Sequence, residues 1–114
     1  MNIEKFMISY LSEKLDIPVY GERPNMATAP DEFVTVEKTG SSRENFVIKC
    51  DLAVQSWSTS RINAAELNEK VINILEAAVE CPEISRCHCD NDYNYTDLTS
   101  KRPRYQALFE VVYQ

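Results

Sequence analysis

The clearest structural signal in the chain is NFVIKCDLAVQSW at residues 45–57. Apolar and polar residues alternate along it, which is the period of a β-strand with one buried face. We therefore predict a long strand. Its predicted core face carries Phe46, Ile48, Cys50, Leu52 and Val54.

Trp57 falls on the opposite, more polar face of this strand, together with Lys49, Asp51 and Gln55. An exposed tryptophan on a solvated sheet surface would indicate contact with a partner. The alternative is that a loop or helix of the same chain covers Trp57, which is the more common situation because most tryptophan side chains are largely buried. The sequence leaves both alternatives open.

The neighbouring segments predict the remaining elements. Residues 32–38 are rich in β-branched and aromatic residues, and the turn-forming residues Thr39–Ser42 follow them, which predicts a hairpin with the long strand. Apolar residues at spacings of three and four predict two helices, over about 2–14 and 61–79. The other predicted elements are strands at about 84–93 and 104–113, a short edge segment at 17–20, and loops at 21–31 and 95–103.

The length of 114 residues fits one domain, because two separate cores would each be too small to offset chain entropy. We predict that residues 1–114 form a single α+β domain with a mixed or antiparallel β-sheet and two main helices packed on it. No apolar stretch reaches the roughly 18 residues that cross a bilayer. Glu4 and Lys5 also interrupt the segment where a signal peptide would be apolar. We expect a cytosolic product with no membrane partner.

The formal net charge of −6 disfavours a surface that binds nucleic-acid phosphates. The one short basic run is Lys101–Arg104. Specific nucleic-acid binding is therefore not expected.

Cys81, Cys87, His88 and Cys89 have the residue types of a zinc site. On a strand, however, Cys87 and Cys89 point to one face and His88 to the other, so these neighbours cannot close on one metal ion. Reduced thiols are favoured over disulfides because the chain lacks a secretory signal. No nucleophile motif accompanies His88, and 2 glycines leave no room for a phosphate-binding loop. We expect no catalytic, cofactor-binding or metal-binding residues.

Several short patterns follow one another along the chain. They are Glu22-Arg23-Pro24, Phe33–Gly40, Leu52–Trp57, Ser60-Arg61, Ala64–Leu67 and Arg102–Tyr105. Taken together, in this succession, they resemble the tail-terminator and tail-completion proteins of long-tailed bacteriophages and prophages. The resemblance extends over about residues 18–114.

The resemblance implies a mixed sheet flanked by helices and a hexameric ring at the head-proximal end of the tail tube, within the virion. Such a ring ends tube growth and offers a docking surface for head joining, and DNA passes through its lumen. The implied partners are further copies of this chain, the tail tube protein and the head completion protein. The candidate interface residues are Arg23, Pro24, Thr39, Gly40, Trp57, Arg61, Arg102 and Arg104.

Three alternatives remain. A head–tail connector or stopper protein would have a similar size and charge. A thiol or metal enzyme would depend on the segment Cys81–Cys89 alone. A small cytosolic adaptor unrelated to phages would differ in its gene neighbourhood, because a tail gene should lie among head-completion and tail genes.

Overall fold

A five-stranded sheet with two helices on one face is the framework of the chain, and the computed structural model describes residues 1–114 throughout. The helices are α1 (Ile3–Lys14) and α2 (Arg61–Glu76), and a short 3₁₀ helix (Ala77–Glu80) continues α2. The strands are β1 (Val19–Tyr20), β2 (Phe33–Glu44), β3 (Val47–Trp57), β4 (Ile84–Asn94) and β5 (Arg104–Tyr113).

The strand order across the sheet is β1-β2-β3-β5-β4. β1 runs parallel to β2 at one edge, and all other neighbours are antiparallel. α2 connects β3 to β4, and β5 returns between these two strands. The sheet is therefore mixed, and the chain forms the single α+β domain that the sequence predicts.

Both predicted helices are confirmed, and polar side chains cap their first turns. The Asn2 side chain accepts a hydrogen bond from the Lys5 backbone N–H at 3.0 Å, and the Ser60 hydroxyl accepts one from the Asn63 N–H at 3.1 Å. α2 ends earlier than the predicted limit at residue 79, because its last turn tightens into a 3₁₀ helix before Cys81-Pro82.

The core lies between the helices and one face of the sheet. The alternation in β3 is confirmed from Cys50 to Val54, since Cys50, Leu52 and Val54 are buried beneath the helices. The other major contributors are Ile3, Met7 and Leu11 of α1, Leu67, Val71 and Leu75 of α2, and Ala107, Phe109 and Val111 of β5.

The β2–β3 hairpin is longer than the sequence predicts. Its turn consists of Asn45 and Phe46, with φ angles of 50° and 67°, and Glu44 pairs with Val47 across it. The prediction of a turn at residues 39–42 is wrong, because this segment continues β2. A bulge between Lys38 and Gly40 shifts the pairing of β2 with β3 by one residue, and the pairing continues beyond it.

The prediction that Phe46 lies in the core is also wrong. Its side chain is 99% exposed, because the alternating pattern of β3 stops at Val47 and Phe46 belongs to the turn. A two-residue turn of this kind needs positive φ at both positions. Asn45 adopts that conformation readily, whereas the Cβ of a phenylalanine makes it strained. Phe46 is therefore both exposed and held in an unfavourable backbone conformation.

The end of this hairpin is largely exposed. All residues from Lys38 to Lys49 are exposed except Gly40 and Ile48, which are half-buried, and Ile48 packs against the main core. We call residues 38–49 the hairpin arm. It forms one end of a molecule that is 43 Å long and 24 by 23 Å across.

Replacing either Leu52 or Leu75 with alanine should lower the free energy of unfolding by about 2 to 5 kcal/mol. Both side chains are fully buried between α2 and the sheet, so each truncation leaves a cavity. Urea unfolding measures the change. Leu98→Ala is the control, because Leu98 is 90% exposed. Near-neutral results at both core positions would contradict this account of the core.

Phe46→Gly should raise the free energy of unfolding by about 1 kcal/mol. Glycine adopts the φ of 67° without strain, and the exposed phenyl ring contributes no burial that could be lost. Phe46→Ala is the matched control, since it removes the ring but keeps the strained Cβ, and it should stay near the wild-type stability. A glycine variant less stable than the alanine variant would argue against strain at this position.

Candidate functional site

Phe33 and Trp57 form a second apolar centre on the face of the sheet opposite the helices. They are direct partners where β2 begins and β3 ends, so their side chains lie on the same face. Their rings stack with centroids 5.2 Å apart and an interplanar angle of 15°. Both side chains are fully buried. Residues of the same chain therefore cover Trp57, as one of the two alternatives predicts.

Arginine side chains cover this aromatic pair. Arg104 pairs with Trp57 across β3 and β5, and its guanidinium lies 4.7 Å from the centroid of the Trp57 ring. On the same ring, the Arg23 guanidinium lies at 5.0 Å, and the Arg102 guanidinium lies 5.3 Å from the Phe33 centroid. These distances are typical of cation–π contacts. We call the whole group the arginine–aromatic cluster, which consists of Arg23, Phe33, Trp57, Tyr95, Asp97, Arg102 and Arg104.

Asp97 is the one carboxylate of the cluster and is only 5% exposed. It accepts hydrogen bonds from the hydroxyl and the backbone N–H of Ser100, and it forms an ion pair with Arg23. These contacts, with those from Ser100 the largest, lower the pKa of the Asp97 carboxyl to about 2. Its second oxygen lies 3.8 Å from Nη2 of Arg104. Asp97 is therefore charged and offsets part of the positive charge of Arg23 and Arg104.

The cluster also fastens two long loops to the sheet. Arg102 donates hydrogen bonds to the backbone oxygens of Pro30 and Asp31, at 2.8 and 2.7 Å. Those acceptors belong to the loop between β1 and β2, whereas Asp97 and Arg102 belong to the loop before β5. Arg104 donates to the backbone oxygen of Tyr95. The cluster thus joins two loops that are far apart in the sequence.

The structure brings together four of the predicted interface residues: Arg23, Trp57, Arg102 and Arg104. Pro24 follows Arg23 in the same loop and is half-buried. Thr39 and Gly40 lie in the hairpin arm, and Arg61 is the exposed first residue of α2; none of these three belongs to the cluster. The role of all these residues in an interface stays a prediction.

The sequence did not single out Asp97, and it placed Phe46 wrongly in the core. Asp97 lies in a polar loop, where Asp97 and Ser100 at a spacing of three are a recognisable turn signal. Phe46 follows Asn45, and an asparagine between two β-prone runs indicates a turn. The strict alternation of the following residues obscured that signal.

The cysteines are free thiols. Burial raises the pKa of Cys50 to about 11 and that of Cys87 to about 12, and the pKa values of Cys81 and Cys89 are also raised, chiefly by burial. A nucleophilic cysteine needs the opposite shift, because the thiolate is the reactive form. No group of three or more His, Cys, Asp or Glu side chains is arranged to hold a metal ion.

The cations of the arginine–aromatic cluster contact rings, carbonyl oxygens and Asp97, so they are engaged within the chain. No protein-family model and no curated protein matches this sequence. Neither helix is long and apolar enough to cross a membrane.

Asp97→Asn should lower the free energy of unfolding by about 1 to 3 kcal/mol, because it removes a charged acceptor from buried hydrogen bonds. The folded-state pKa of about 2 lies below the ordinary value of 3.8, so the charged Asp97 stabilises the fold above about pH 4. That contribution is lost as the pH falls toward 2. Urea unfolding over this range should therefore show the wild type and the variant converging in acid. A constant difference would contradict this assignment, and Asp90→Asn on an exposed carboxylate is the control.

Proposed function

We propose that this chain is a non-catalytic structural protein from the tail of a long-tailed bacteriophage, of the tail-terminator kind. It forms a hexameric ring on the head-proximal end of the tail tube. The ring ends growth of the tube and presents the surface that receives the head completion protein. DNA passes through its lumen without being bound specifically.

What supports the proposal is that four of the six patterns of the resemblance meet in one place. Arg23 comes from the first pattern, Phe33 begins the second, Trp57 ends the third, and Arg102 and Arg104 belong to the last. These residues are far apart in the chain, yet they pack into a single cluster. The other two patterns, Ser60-Arg61 and Ala64–Leu67, lie at the start of α2 and outside the cluster.

The charge of the chain agrees with a conduit for DNA. The net charge is −6, and Arg102 and Arg104 of the basic run at residues 101–104 belong to the arginine–aromatic cluster. A wall without free basic patches does not retain the DNA backbone, because affinity for DNA depends largely on cations that neutralise phosphates. We therefore expect acidic side chains to face the lumen.

The shape of the subunit is compatible with a ring. A closed ring requires a head-to-tail contact between two different surfaces of each subunit. The two ends of the sheet differ in chemistry, since one end carries the arginine–aromatic cluster and the other carries the hairpin arm. One self-complementary patch would instead favour a two-fold dimer.

Deleting the gene should give tails of abnormal length without attached heads, because nothing would stop the tube from growing. Electron microscopy of the particles makes the measurement, and supplying the gene in trans is the control. Tails of normal length beside unattached heads would contradict a terminator and indicate a connector or stopper. A gene outside any group of head and tail genes would contradict both.

The purified chain should form rings more readily as the salt concentration rises, because salt screens the repulsion between acidic subunits. Sedimentation velocity over a series of protein and salt concentrations measures this. A parallel titration with duplex DNA at low salt should show no binding, since the phosphates would meet a surface of the same sign. A stable two-fold dimer or tight DNA binding would contradict the proposal.

A further inference from the structure

A groove opens between the end of α1 and the first half of α2, next to the residues that precede β2. Its volume is about 470 Å³. Three apolar side chains line it. Its ionisable side chains are four carboxylates and one ammonium group. The apolar side chains are Leu15, Ile17 and Leu67, the carboxylates are Asp16, Asp31, Glu32 and Glu66, and the ammonium group is Lys70. The groove thus combines three apolar side chains with an excess of three negative charges, four carboxylates against one ammonium group.

The tip of the hairpin arm has the complementary chemistry. Phe46 is 99% exposed there, and the adjacent Val47 is 42% exposed. Arg43, three residues before Phe46, makes no ion pair in its own chain. Glu44, next to Arg43, is also exposed and makes no ion pair. The tip therefore presents an aromatic ring with one free cation and one free carboxylate beside it.

The groove and the tip lie at opposite ends of the molecule. Glu32 in the groove immediately precedes β2, and β2 then runs from Phe33 to Glu44 at the tip. At about 3.3 Å per residue, this strand separates them by roughly 36 Å. Because the arm is part of a paired hairpin, it cannot fold back onto the groove of its own chain. Only another copy can bring a tip to this groove.

Phe46 brings no advantage to the isolated subunit. Its ring is exposed to solvent, and its φ of 67° is unfavourable for a residue with a Cβ. Glycine would fit the turn better. A contact made outside the subunit explains why a large aromatic residue occupies this position, since aromatic side chains inserted into pockets dominate the energy of many interfaces.

We propose that Phe46 of one subunit inserts into the groove of a second copy of this chain, while Arg43 meets the carboxylates around it. This inference rests on the ring assembly proposed above and identifies its subunit contact. Each joined pair keeps one free tip and one free groove, so the contact repeats. It closes into a ring where the rotation between subunits allows, and continues as a filament where it does not.

Phe46→Ala should weaken self-association about thirtyfold or more, as expected for the central aromatic side chain of an interface. Arg43→Glu should weaken it as well, because it places a like charge against the groove. Leu98→Ala is the matched control: Leu98 is exposed and apolar but lies in the loop before β5, so association should be unchanged. Sedimentation equilibrium of the full chain at physiological salt measures all of these. Wild-type association of Phe46→Ala overturns the proposal.

The groove is tested by reversing charges on its exposed residues Asp31 and Glu66. The variant Asp31→Lys/Glu66→Lys should associate weakly, and adding Arg43→Glu to it should restore association. A circular dichroism spectrum and a melting curve establish that each variant is folded. Failure of the combined variant to recover would overturn the role of these charges and, with it, the proposed site.

Mixing two defective variants tests the head-to-tail geometry. Phe46→Ala lacks a working tip, and Asp31→Lys/Glu66→Lys lacks a working groove. Each alone should be monomeric, whereas the mixture contains one intact tip and one intact groove for each pair. It should therefore form dimers and stop there. No complex, or complexes larger than dimers, would overturn the contact.

The result separates this contact from the proposed function. Rings that persist in Phe46→Ala overturn the contact and leave the tail-terminator role intact. Association that requires Phe46, in a chain whose loss leaves phage tails normal, supports the contact and overturns the role. A wild-type chain that stays monomeric from micromolar to millimolar concentration overturns the contact.

Discussion

The stacking of Phe33 on Trp57 organises the side of the sheet that no helix covers. Both loops next to this pair depend on it, because the arginines that hold the loops also lie over the two rings. Residues next to the aromatic pair also hold residues that line the opposite, helix-covered face. Arg102 holds the backbone of Asp31, and the Ser58 hydroxyl, next to Trp57, donates a hydrogen bond to Glu32 at 2.9 Å. Asp31 and Glu32 line the groove beside the helices. The aromatic pair thus positions part of the proposed subunit contact.

Charge is distributed unevenly over this acidic chain. The arginines near Trp57 contact rings, carbonyl oxygens and Asp97 within the fold, and Asp97 offsets part of their charge. Four carboxylates line the groove, and Arg43 and Glu44 stay unpaired at the opposite end. The net charge of −6 makes two subunits repel each other, whereas Arg43 of one subunit attracts the groove carboxylates of the other in the proposed contact. Salt weakens the long-range repulsion, and a contact that excludes water is screened less.

The hairpin arm shows how register produces a functional surface. Pairing of β2 with β3 continues past the body of the protein, and the bulge after Lys38 lets the turn-prone residues around Gly40 remain in the strand. The turn consequently falls at Asn45 and Phe46. A turn at residues 39–42 would have placed Phe46 on the core face and left no exposed ring at the tip. A small change in register therefore separates a core residue from a surface anchor.

Local periodicity was sufficient to identify the helices, the core face of β3 from Cys50 to Val54, and β5 at residues 104–113, because each pattern repeats with the geometry of its own element. It could not locate the β2–β3 turn, since strand-like alternation continues into Phe46 and only the pairing of Glu44 with Val47 ends it. Nor could it decide whether Trp57 is covered, because the covering arginines come from loops distant in the chain. The burial of Asp97 and its ion pair with Arg23 likewise arise from long-range contacts, which periodicity along one segment does not contain. The largest cause of its lowered pKa, the hydrogen bonds from Ser100, is local.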